Sequence, residues 1–138
     1  MNEGVEAFRP TVLDELLRFD SPVSTATFRF TTEAVTLGGT EIPASVPVLV
    51  ALGAANRDPE RFPSPNQLDL DRDAASHLSF GRGIHRCVGA PLAKIEAEIA
   101  LQAVLDRFPG IQLAVPSDRL EWRRTRLVRG LAALPIQV

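Results

Sequence analysis

Cys87 is the only cysteine in the chain, and it lies in the run Phe80-Gly81-Arg82-Gly83-Ile84-His85-Arg86-Cys87-Val88-Gly89. Such a residue offers the chemistry of one thiolate, because deprotonated sulfur is both the metal ligand and the electron donor. Gly81 and Gly83 can take positive φ and let the backbone come close to a bound group. Gly89 allows a tight turn between the sulfur and a helix beginning near Pro91, since proline suits a first helical position. A sulfur just ahead of a helix N-terminus lies in the field of free amide N–H groups, which stabilises negative charge. Other chemistries fit less well. Without these neighbours a lone cysteine reads as an inert packing residue. One cysteine and two histidines cannot close a tetrahedral zinc shell without carboxylates at unusual spacing. A dinucleotide loop would place its third glycine at Arg86. A Cys–His nucleophile stays open on residue types, although nothing local orients His85 as a base.

The loop resembles the Phe-Gly-x-Gly-x-His-x-Cys-x-Gly signature of the cytochrome P-450 (haem-thiolate monooxygenase) family, and the chain is most similar to its soluble bacterial members. The resemblance implies haem b with Cys87 as axial thiolate. It gives His85 and Arg29 hydrogen bonds to the haem propionates, and Phe80 a place shielding the sulfur. A guanidinium suits that role because it donates two parallel hydrogen bonds to a carboxylate. Gly81, Gly83 and Gly89 complete the cofactor loop. Val23, Thr25, Leu127 and Val128 would face substrate. Glu15-Leu16-Leu17-Arg18 resembles the family's Glu-x-x-Arg element, whose pair organises the haem loop and does no chemistry itself. By spacing alone, Glu15 and Arg18 would be an ordinary surface ion pair. The family's third network member often comes from Pro-x-Arg-Phe, where this chain has Pro65-Asn66-Gln67-Leu68. Gln67 cannot supply a cation, which leaves Arg61 or Arg72. The activity implied is insertion of one oxygen atom into a small organic substrate. Electrons would come from a ferredoxin-like or flavin-containing partner touching Arg82, Arg86 or Lys94.

These residues must be positioned by several short elements. Val12, Leu13, Leu16 and Leu17 make a helical stripe with one buried face, opened by a Thr11–Asp14 capping box and stopped at Ser21-Pro22. Val23 to Phe30 alternates as a strand with Val23, Thr25, Thr27 and Arg29 on one face. Ala34–Leu37 and Thr40–Ile42 flank Gly38-Gly39, a hairpin signal. Val46–Val50 reads as another strand, with Pro47 marking an edge. Residues 56–73 form an ordered loop rich in Pro, Asp and Arg. Leu92, Ile95, Ile99 and Ala103 recur at helical spacing as a core stripe, and the helix ends near Phe108-Pro109-Gly110. His77 takes a packing or surface role. The fold class expected is mixed α+β, the C-terminal third of the mostly helical P-450 fold. Its parts would be the Glu-x-x-Arg helix, a small mixed sheet, a meander loop, the haem loop, a proximal helix and a C-terminal hairpin.

The 138 residues, 45% hydrophobic with net charge −2, suffice for one compact partial domain over 1–138 that buries roughly two-thirds of its unfolded surface. The charge balance gives no reason to expect nucleic acid. Pro43 and Pro47 break the most apolar stretch, and no leader pattern opens the chain, so a cytoplasmic protein without a membrane segment is expected. One free thiol suits a reducing compartment. The family's long distal helix, with its acid–alcohol pair, has no counterpart here. A missing N-terminal portion is therefore a possible partner. The alternative to a monooxygenase is an inactive remnant or split-protein half.

Overall fold

The computed structural model describes residues 9–125 and 128–138. The first helix, α1 (Pro10–Phe19), begins with proline in its first turn after Arg9 as N-cap, and no side chain caps it. Thr11 is therefore inside the helix and forms no capping box; Pro10 makes the earlier start possible because its missing N–H needs no partner.

The charged face of α1 is the deepest. Leu13, Asp14, Glu15 and Arg18 are its buried residues, whereas Val12, Leu16 and Leu17 are only half-buried. Arg18, Glu15 and Asn56 are the largest fully buried side chains described. The apolar core around them is small: Leu13, Leu52, Phe62, Ala74 and Ala90.

Strands are short and pair only in twos. β1 (Arg29–Phe30) runs antiparallel to β4 (Pro47–Val48), and β2 (Val35–Leu37) to β3 (Thr40–Ile42). β5 (Gln112–Leu113) pairs with β6 (Ile136–Gln137). The expected small mixed sheet is thus three two-stranded antiparallel ribbons among the described residues. The β2–β3 turn is the Gly38-Gly39 pair, both at positive φ, +55° and +78°, which is what a two-residue hairpin turn of this hand demands. The strand expected from Val23 shrinks to Arg29–Phe30. Ala26 N–H still donates to Val50 C=O and Thr31 N–H to Val46 C=O, so the segment is extended.

After α2 (Leu52–Ala55) the chain is irregular to Phe80. It then makes a 3-10 turn at Gly83–His85 and enters α3 (Ala90–Arg107), whose N-cap is Gly89 and whose second residue is Pro91. α3 packs against α1. Its inward face is Ala90, Lys94, Ala97, Leu101 and Leu105, while Leu92, Ile95, Ile99 and Ala103 are exposed. The expected core stripe is therefore on the wrong side. The helix carries apolar residues on more than one face, and periodicity alone cannot say which one meets α1. In the C-terminal segment Trp122 and Leu131 form an antiparallel bridge, and Arg123 N–H donates to Gly130 C=O, giving the expected hairpin.

Candidate functional site: the Cys87 loop and its scaffold

The loop is built from its backbone. Gly81 and Gly83 sit at φ +69° and +70°, a region where a Cβ is strained. Cys87 N–H donates to Phe80 C=O at 2.8 Å, Gly81 N–H to Leu78 C=O at 2.8 Å, and Ala90 N–H to Cys87 C=O at 3.2 Å. Cys87 thus stands immediately before α3, exposed and with a free thiol. Gly89 has an ordinary helical φ of −81°, so no positive φ requires glycine there. A Cβ at that position would lie 3.8 Å from Cys87 Sγ, an ordinary contact, so close approach does not require glycine there either.

The sulfur opens onto a cavity of about 830 Å³. Phe80, Gly81, His85 and Cys87 line it on the loop side. Val23, Thr25, Thr27 and Arg29 line it from the extended segment, and Val128 from the C-terminal turn. Leu17, Val50, Ala93 and Ala97 contribute apolar wall. Arg29 Nη1 also donates to Thr27 Oγ1 at 2.7 Å, which holds the guanidinium along its own strand. Gly83 and Gly89 stand next to lining residues and are not themselves in the wall, and Leu127 lies outside the described residues. A second cavity of about 400 Å³, beside Phe19 and Arg57, has neither thiol nor imidazole in its wall.

The donor set fits a haem. One sulfur faces a mainly apolar space, with a guanidinium and an imidazole in the same wall. No cluster of three or more His, Cys, Asp or Glu gathers among the described residues. A metal at Cys87 would therefore take its remaining ligands from a non-protein group, and a flat macrocycle with carboxylate arms meets that need.

Behind the loop stands a buried network. Arg18 donates through Nε to Glu15 Oε2 at 2.6 Å and through Nη2 to Glu15 Oε1 at 2.8 Å. Its remaining donors reach the carbonyls of Asn56, Pro65 and Gln67. The guanidinium also lies 5.3 Å from the Phe62 ring centre. Glu15 accepts from Asp69 N–H at 3.0 Å and Arg72 Nε at 3.3 Å. Arg72 is accordingly the third member of the network and its second cation; Arg61 instead donates to Ser76 Oγ. Gln67 enters the network through its backbone carbonyl, which needs no charge. Burial by itself raises the Glu15 pKa. The Arg18 hydrogen bond, the Asp69 N–H, the Arg18 charge and the Arg72 bond together outweigh it, and the net shift is downward.

Two positioning residues carry no motif signal. Asn56 accepts from Leu78 N–H at 2.6 Å and donates to Ser79 Oγ at 2.9 Å, and Ser79 Oγ donates to Leu17 C=O at 2.7 Å. The chain entering the loop is thereby tied to α1. His77 is the other, and it is no surface residue. Its Nδ1 accepts from Ser79 N–H at 3.0 Å, its Nε2 lies 3.3 Å from Asp14 Oδ1, and its ring meets Phe80 at 5.9 Å. With Nδ1 accepting, the proton of the neutral ring is on Nε2, facing the carboxylate. Burial lowers the His77 pKa; Asp14 opposes this, and Lys94 and Arg86 add to it, leaving a net downward shift. Lys94 Nζ is 2.6 Å from the same Asp14 oxygen, so this lysine is committed to an internal pair, while Arg82 and Arg86 are exposed.

Comparison with known proteins gives a consistent answer. The family described as Cytochrome P450 matches residues 8–127. The chain is 50% identical over 129 residues to 6-deoxyerythronolide B hydroxylase of Saccharopolyspora erythraea, covering 94% of this chain and 32% of that protein. It is 52% identical over 125 residues to cytochrome P450 monooxygenase PikC of Streptomyces venezuelae, covering 91% and 30%. The tirandamycin C-bound structure of the P450 monooxygenase TamI superposes with a TM-score of 0.90 at 49% identity, covering 93% of this chain and 32% of that one. The chain spans about a third of the length of the relatives it matches.

Proposed function

The chain belongs to the cytochrome P450 family, and from that membership we propose that it seats a haem b in the Cys87 cavity, with the Cys87 thiolate as axial ligand. The observation that carries this reading is convergence. Cys87, His85 and Phe80 of the loop and Arg29 of an extended segment far from it in the chain line one space. His85 and Arg29 would hold the propionates, Gly81 and Gly83 would let the backbone approach the macrocycle, and Phe80 would keep water from the sulfur. Gly89, as N-cap of α3, would complete the loop beside the sulfur. When bound, a thiolate-ligated haem supplies dioxygen activation, and the thiolate's electron donation favours O–O cleavage. This chain's residues would bind and orient the group, while Val23, Thr25 and Val128 would face a small organic substrate. Glu15, Arg18 and Arg72 hold the loop without touching the reacting atoms.

The reaction proposed is oxygen insertion, fed by a ferredoxin-like or flavin-containing donor at the exposed Arg82 and Arg86. A cytoplasmic setting suits the free thiol, and no helix among the described residues is long and apolar enough to cross a membrane. A second reading is that the isolated chain does not turn over substrate. Ile84 and Val88, both beside the ligand and 96% and 95% exposed, favour it.

Haemin titration followed by reduction under carbon monoxide tests the cofactor. The unsubstituted chain should show the family's red-shifted Soret band. Cys87→Ser should abolish that band, whereas Arg29→Ala should keep it and weaken haem retention. Equal haem loss in the two variants would overturn the assigned roles.

A further inference from the structure

We propose that Arg129 is a specificity-positioning residue: its guanidinium latches the C-terminal turn to the end of α1 and so sets where the Val128 wall of the cavity stands relative to Val23. This rests on the reading of the cavity as a haem and substrate pocket. Arg129 joins three segments. Its Nε donates to both carboxylate oxygens of Asp20, at 2.8 and 3.2 Å. Its Cζ lies 3.6 Å from the centre of the Trp122 ring, on the opposite arm of the hairpin. Its backbone N–H donates to Pro22 C=O at 2.7 Å. The residues adjoining these contacts, Val128 on one side and Pro22 and Val23 on the other, line the cavity, whereas Arg129 itself does not.

The turn is also closed from within. Val128 N–H donates to Thr125 Oγ1 at 3.1 Å, and that hydroxyl donates to Val128 C=O. Thr125 and Val128 are thereby tied to each other, and Arg129, through its side chain together with its backbone N–H, ties the Val128 end to the Asp20–Val23 segment. Only a planar guanidinium can meet a carboxylate with its edge while stacking its face on an indole. The Arg129 and Asp20 side chains are about half-exposed, at 49% and 45%. An exposed pair of this kind is weak and screened by salt, which makes it a releasable latch. Its hydrogen bonds and ring contact go to Asp20, Pro22 and Trp122 and not to Cys87, His85 or Arg29, so its effect falls on the substrate end of the cavity and not on the cofactor.

Trp122 is the only tryptophan and reports on the latch without any cofactor. In the haem-free chain, Arg129→Gln and Asp20→Asn should each red-shift Trp122 emission and raise its quenching by acrylamide. Arg129→Lys should restore the signal only in part. Added salt should move the unsubstituted chain toward the variants and leave Arg129→Gln unchanged. Unaltered emission and quenching in both Arg129→Gln and Asp20→Asn would overturn the latch. The specificity role is read on the haemin-loaded chain by spectral titration with imidazole and 4-phenylimidazole. The ratio of their dissociation constants should change by about two- to fivefold in Arg129→Gln, matching what an exposed pair is worth, with haemin affinity unchanged. An unchanged ratio would overturn the role. Failure of the unsubstituted chain to take up haemin would instead overturn the cofactor reading, and the tryptophan readout would still decide the latch.

Discussion

Glu15 and Arg18 have no solvent exposure in their side chains, and a buried pair matters chiefly through what its rupture leaves behind. Glu15→Gln would leave the buried Arg18 cation without its counter-charge and turn an amide NH2 where one acceptor oxygen stood, and should cost about 3–5 kcal/mol, read from the urea midpoint. A loss within the range of surface pairs would mean that the network exchanges with water. The pH dependence has two separable parts. Glu15 is shifted below 4.5, so its contribution is fully present above that value and is lost as pH falls through the lower folded one. His77 is shifted below 6.5, so the unfolded chain binds more protons in the window just beneath 6.5, and stability declines as pH falls through it. His77→Gln should remove the step below 6.5 and leave the more acidic one, measured by urea melts across the two windows. The Glu15–Arg18 spacing was legible because both residues are on one local element. The choice of Arg72 over Arg61 was not, since it depends on how residues 56–73 fold back over α1. The role of His77 depends on Asp14 and Phe80 being brought together, which no spacing announces.

The helices and the hairpin divide by how local their determinants are. Gly38-Gly39 specifies its turn by backbone conformation alone, and the hairpin is where the residues place it. α3 is different, because its ends are written in Gly89-Ala90-Pro91 and Phe108-Pro109, but its orientation is not. Lys94 lies on the packed face since Asp14 of α1 accepts its charge, and charged residues are usually read as outward-facing. Ala90 is 1% exposed, so Ala90→Leu should overpack its buried position and destabilise by about 1–3 kcal/mol. Ile99 is 65% exposed, and Ile99→Gln should stay within about 0.5 kcal/mol. Thermal or urea melts of the two variants check the pair, and the reverse order would restore the stripe that periodicity suggests.

Among the described residues the fully buried apolar side chains are few, and many large apolar ones are exposed. Ile84, Val88, Leu92, Ile95 and Ile99 are all exposed, and contiguous apolar surface of this kind promotes association. The isolated chain should self-associate in sedimentation experiments, and combined Ile84→Ser, Val88→Ser and Ile99→Gln should reduce this without lowering the melting temperature. Strongly monomeric behaviour of the unsubstituted chain would count against that surface being free. The family, the conformation of the Cys87 loop, the Glu-x-x-Arg pair and the hairpin turn could be read from the residues alone, because each depends on residue types at short fixed spacing and on local backbone preference. Only the tertiary structure decided that Arg72 completes the network, that His77 and Asn56 tie the loop to α1, which face of α3 packs, and that Arg129 spans three segments. Those outcomes depend on contacts between residues far apart in the chain, where pairing is chosen by which groups folding brings within reach of each other's charge and hydrogen bonds.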